Sequence, residues 1–99
     1  WEKILARLEG KNISQYKVAI LEAEALAEEI LTGIGWKGGH LEERLASVTD
    51  AQLESRPALL EAHQVRNAII LDPRYELSHE EAEATLAKYR RFFDEVELF

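Results

Sequence analysis

Ala62-His63-Gln64-Val65-Arg66-Asn67-Ala68-Ile69-Ile70-Leu71-Asp72-Pro73 is the stretch that decides the fold. With the residues just before it, it reads as a helix. Ala58, Ala62, Val65 and Ile69 recur at the spacing of one helical face. Leu59, His63, Arg66 and Ile70 repeat that spacing on the adjoining line, so His63 and Arg66 project together from the border of the core. Pro57 suits the first turn, where its missing N–H costs nothing. Asp72-Pro73 ends the helix, because proline cannot continue it and restricts the residue before. The expected helix covers residues 57–70.

Outward from it, helical periodicity continues and strand alternation is missing. Downstream, Ser78 and Glu81 have the spacing of a capping box. They open a helix whose buried line is Ala82, Leu86, Tyr89, Phe93 and Val96, with Phe92 beside it. Upstream, Thr49 and Gln52 make another such box, opening a turn or two of helix near Leu53. A short helix is expected at residues 41–46, with Leu41 and Leu45 inward. Gly33, Gly35, Gly38 and Gly39 punctuate the segment before it. No strand precedes them and no Gly-Lys-Ser/Thr follows, so they read as helix termination and a turn, with Trp36 covering the core.

The longest helix is expected at residues 13–32. Tyr16, Ala19, Ile20, Ala23, Leu26, Ala27, Ile30 and Ile34 form its stripe, widened by Val18, Leu21, Ala25 and Leu31. So wide an apolar arc places a helix centrally, with neighbours on two sides. Glu22, Glu24, Glu28 and Glu29 are its expected solvated edge. Asn12 and Gln15 cap its start; the sequon Asn12-Ile13-Ser14 is read as part of that cap. Trp1, Ile4, Leu5 and Leu8 begin the chain as one more helical face. The sum is an all-α domain over residues 1–99: a bundle of four main helices plus one or two short ones.

Composition narrows the function. The 99 residues include no cysteine, hence no disulfide and no thiolate chemistry. A formal charge of −7 repels phosphate backbones, so nucleic-acid binding is disfavoured. Lys88, Arg90 and Arg91 form the densest basic cluster, but they lie late in a helix, where cations complement the dipole, with Asp94, Glu95 and Glu97 behind. No run reaches the ~20 apolar residues of a membrane span. The chain starts at Trp1 and holds no methionine. We expect an excerpt of a longer chain or a trimmed form of it, cytoplasmic, or on the cytoplasmic face of a membrane if an anchor lies upstream.

The opening stretch resembles the signature region of the HEPN helical domains. In that family an Arg, a polar residue and about three more residues precede a catalytic His. Arg66-Asn67 matches the start of the motif, and Asp72-Pro73, Leu77-Ser78 and Glu81-Ala82 resemble the family downstream. The resemblance is strongest over residues 61–93. It implies a homodimer pairing through the motif helices and, in catalytic members, metal-independent RNA cleavage by Arg and His in a cleft between protomers. Here the His position holds Leu71, which cannot transfer a proton.

The expected function is therefore a non-catalytic HEPN-like module for dimerisation or protein-partner binding, with no cofactor. Two alternatives stand beside it. One is an RNA-cleaving, toxin-like domain that uses Arg66 and Asn67 with a non-standard partner, His63. The other is a helical domain binding a small ligand or nucleotide through its phosphate near Arg66. Arg66 and His63 also have plain structural uses: an arginine near a helix end pairs with a carboxylate, and a half-buried imidazole bonds a neighbour. No metal site is expected, because His40, His63 and His79 lack ligand-like spacing and His79-Glu80-Glu81 lacks a second His one turn on. Leu71 is expected to be substantially buried, in the core or in a dimer contact.

Overall fold

The computed structural model describes residues 1–36 and 38–96. It is all-helical over them, with α1 at Glu2–Ala6, α2 at Ile13–Ile34, α3 at Leu41–Ala46, α4 at Arg56–Leu71 and α5 at His79–Glu95. The long helices α2, α4 and α5 pack against one another; α1 leans on α2 and α3 on α4. The first helix is a single short turn-and-a-half rather than a main element. The Thr49-Gln52 box forms reciprocally, at 2.9 and 3.2 Å, but caps a turn and not an α-helix. Among the described residues no helix is long and apolar enough to cross a membrane.

α2 forms because its cap and stripe agree. Asn12 Oδ1 accepts from the Ser14 and Gln15 amides at 2.9 and 3.3 Å. Gln15 does not complete the box, since its own oxygen accepts from Arg7. The helix runs past Thr32 to Ile34 and ends at Gly35, whose φ of +99° is left-handed. The Gly35 and Trp36 amides bond back to Leu31, the pattern that closes helices on such a residue. Trp36 then packs on the core as expected.

α2 buries Tyr16, Ala19, Ile20, Ala23, Ala27 and Leu31. Its small residues let α5 approach with Tyr89, Phe92 and Phe93, all fully buried. The wider arc of α2 is covered only in part: Leu31 is buried but Leu21 and Ala25 are exposed, and Ile34, the last residue of the stripe, is 46% exposed at the helix end. Central placement with neighbours on two sides holds for the stripe but not for that flank.

α4 begins at Arg56, with Pro57 in its first turn. Ser55, at its N-cap, makes no side-chain cap. The free amides are met from α5 instead: Glu95 accepts from Glu54 N and Ser55 N at 2.8 and 2.7 Å. The Asp72-Pro73 stop works as expected, with Asp72 Oδ1 accepting from Arg74 N. Ser78 Oγ caps α5 by accepting from Glu81 N, while the Glu81 carboxylate takes the Tyr75 hydroxyl. Late in α5, Lys88 pairs with Glu61 of α4 and Arg90 with Asp94, so two of the three cations of that basic cluster are engaged within the chain. Glu97 lies outside the described residues.

Of the two placements expected for Leu71, the core one is overturned. Leu71 is 82% exposed in the single chain, and its neighbour Ile70 is 53% exposed. The reason is position: Leu71 is the last residue of α4, and the chain turns away at Asp72-Pro73 before any element can cover it.

Candidate functional site: a buried carboxylate and the cleft beside it

The core line of α2 runs Tyr16, Ile20, Glu24, Ala27, Leu31 at spacings of four, four, three and four. Glu24 therefore points inward. It is 3% exposed, not a member of the solvated edge. A buried carboxylate is stable only when hydrogen-bonded and paired, and three side chains converge on this one.

Glu24 Oε1 accepts from the Tyr89 hydroxyl at 2.8 Å. Oε2 accepts from His63 Nδ1 at 2.8 Å and from the Arg66 guanidinium, through both Nε and Nη2. The Arg66 head also reaches toward Glu28 at 3.9 Å. One residue of α2 thus ties together two residues of α4 and one of α5. Burial, then the adjacent Glu24 charge, pushes the Tyr89 hydroxyl far up from its ordinary value, so Tyr89 is fixed as a neutral donor.

His63 is 3% exposed. A carboxylate only accepts, so its Nδ1 carries the proton and the ring is held by Glu24. Its other nitrogen, Nε2, lies 3.2 Å from Asn67 Nδ2 and 3.2 Å from Glu42 Oε1. Glu42 comes from the first turn of α3 and is half exposed. Here an open cleft of about 300 Å³ begins, lined by His40, Glu42, His63, Arg66 and Asn67.

His63, Arg66 and Asn67, the three candidates of the RNA-cleaving alternative, are therefore brought to one cleft. Arg66 and His63 also fill the structural roles open to them, the first meeting a carboxylate and the second bonding its neighbours. His63 is deeper than the core border its spacing implied. Leu71 does not line this cleft. His40 does, beside His63, although they are far apart in sequence. His79 stays remote, bonding the Leu8 carbonyl at 3.1 Å.

Sequence reasoning missed Glu24 and Glu42. For Glu24 the signal was present, since a charged residue on the core line of a helix demands buried partners. For Glu42 no local signal existed, because its relation to His63 is set by how α3 packs on α4.

A second, shallower groove of about 200 Å³ opens on the other side of Arg66, lined by Leu21, Glu24, Ala25, Glu28, Arg66 and Ile70. Its apolar members belong to the uncovered flank of α2 and the end of α4. Comparison of the chain with protein families, curated proteins and solved structures found no match.

Proposed function

We propose that this chain is a non-catalytic, HEPN-like assembly module that pairs with a second copy of itself through the α2–α4 flank. The observation that carries this reading is Leu71, an 82% exposed leucine at the tip of α4, which follows Ile70 at 53%, and Ile70 shares a groove with Leu21 at 37%. Isolated exposed leucines are ordinary, but a cluster beside a groove marks a contact surface. Leu71 projects at the end of α4, and the groove beside Ile70 is a recess in which Leu21 and Ala25 stand with Glu24, Glu28 and Arg66. A knob and a hole on one surface are what a two-fold, self-complementary contact requires. Sedimentation of the chain at high micromolar concentration is expected to give a dimer; a monomer throughout would remove this reading.

The RNA-cleaving alternative draws support from the Glu24-His63 pair, which presents Nε2 toward a cleft shared with Arg66 and Asn67. Against it stands the charge. Glu24, Glu28 and Glu42 outnumber Arg66, whose guanidinium is already engaged by Glu24, so among the described residues Arg66 is not free to hold an RNA backbone or a nucleotide phosphate. Incubation with single-stranded RNA, with or without divalent metal, is expected to leave it intact. Cleavage that disappears in Arg66→Ala would install the alternative instead.

A further inference from the structure

His63 is a buried imidazole with a carboxylate on each ring nitrogen. Nδ1 meets Glu24 Oε2 of α2 at 2.8 Å, and Nε2 meets Glu42 Oε1 of α3 at 3.2 Å. The two contacts differ in kind. Glu24 is buried and is held by Tyr89 and Arg66 as well, so it stays beside the ring whatever the ring's charge. Glu42 is half exposed and has water at hand. A neutral ring with its proton on Nδ1 turns a lone pair toward Glu42, and two acceptors 3.2 Å apart repel. A ring protonated on both nitrogens donates to both carboxylates. The Glu42 contact therefore belongs to the imidazolium.

The charges around the ring agree. Arg66 is always cationic and already matches Glu24. A second buried cation at His63 needs a second anion, and Glu42 is the carboxylate that reaches it. Other groups nearby do not take its place. From α2, Glu28 is directed to Arg66 at 3.9 Å. At the start of α3, His40 stands on the rim of the cleft and pairs with Glu43 at 3.0 Å. From α5, Tyr89 donates to Glu24, and Lys88 pairs with Glu61 of α4. Asn67, on α4 itself, serves either state. Its amide nitrogen donates to a bare Nε2, and after a half-turn its oxygen accepts from a protonated one.

We infer that His63 is a proton-operated latch that holds Glu42, and with it the first turn of α3, against α4. With both ring nitrogens protonated, the imidazolium joins α2 to α3, and Glu42 closes over the cleft it lines. When Nε2 gives its proton to solvent, His63 keeps Glu24, Asn67 turns its amide nitrogen to the ring, and Glu42 swings into water. Leu41 and Leu45 are fully buried and anchor α3, so the change is confined to its first turn and the cleft mouth. Imidazoles as a class change charge between about pH 5 and pH 8. The latch is closed at the acid end of that range and open at the alkaline end.

Thermal denaturation of the intact chain and of Glu42→Gln, each at pH 5.5 and pH 8.5, tests this. The substitution keeps the shape of a half-exposed side chain, so the variant folds. At pH 5.5 wild type should melt about 2–5 °C above the variant, the scale of a partly exposed ion pair in a domain of this size. At pH 8.5 the gap should vanish or reverse, because the variant's amide can donate to the bare Nε2. A His40→Ala background should give the same pH dependence, since His40 pairs with Glu43. Nitrogen NMR in that background adds a readout that a folding defect does not imitate. The His63 ring should carry protons on both nitrogens at pH 5.5 and on Nδ1 alone at pH 8.5. The backbone amides of residues 41–44 should shift along the same curve, and should stop doing so once Glu42→Gln is added. The inference is overturned if the melting gap is equal at the two pH values, if it disappears with His40, or if the ring keeps a single proton across the range.

Discussion

At the scale of single residues, the molecule turns on Glu24. Its carboxylate takes a phenol, an imidazole and a guanidinium inside the bundle, and each partner is satisfied through it. Removing one partner leaves a buried oxygen short of a hydrogen bond, which costs more than the bond contributed. Tyr89→Phe keeps the ring packing and deletes only the hydroxyl bonded to Glu24 Oε1. It is expected to lower the unfolding free energy by about 1.5–3 kcal/mol, the range for hydrogen bonds to charged groups, as read by urea denaturation. A change near zero would mean that water replaces the hydroxyl. The residue scale is also where the sequence was hardest to read. Glu24 looks like its neighbours Glu22 and Glu28 in composition, and only its place on the Ile20-Ala27-Leu31 line distinguishes it. Arg66 and His63 were legible as a pair on one helix, but their shared partner on another helix was not.

At the scale of elements, helix ends were legible where the stop was chemical. Asp72-Pro73 and the Ser78 and Asn12 caps work through atoms within a few residues, so a local reading finds them. The start of α4 was legible in Pro57, but its cap was not, because the cap is Glu95, about forty residues on. Glu95 holds the junction between the end of α5 and the start of α4. Burial there pushes its carboxyl up. Ser55, then the Glu54 amide and the Arg91 charge, outweigh that and hold it below the ordinary glutamate value. The Ser55 hydroxyl is buried without a hydrogen bond of good geometry, so the two backbone amides are the contacts that matter. A group whose folded value is depressed contributes stability that is present above its unfolded value and lost as pH falls through the folded one. The wild-type melting temperature should therefore drop more steeply between about pH 5 and pH 3 than that of Glu95→Gln, which cannot titrate. Parallel curves would show that the junction contributes nothing to acid sensitivity.

At the scale of the whole molecule, the bundle leaves one flank unfinished. α2 has an apolar arc wider than α4 and α5 cover, and α4 ends in a leucine that touches no core. The arc was legible in the sequence; which part of it the chain would leave bare was not, since that depends on where α4 stops relative to α2. The exposure of Leu71 separates two consequences that a core position would have merged. Truncating a buried leucine costs about 2–5 kcal/mol, but Leu71→Ala acts on a side chain already in water and should leave the folded monomer within about 0.5 kcal/mol of wild type. Leu71→His should be equally neutral, because it buries no imidazole. If the flank pairs with a second copy, assembly binds only the folded state, so the wild-type melting temperature should rise with protein concentration. Leu71→Lys places a charge at the contact and should remove that rise, with the low-concentration melting temperature unchanged. A wild-type curve independent of concentration would refute pairing through this flank. A Leu71→Lys variant that melts early at every concentration would instead return Leu71 to the core.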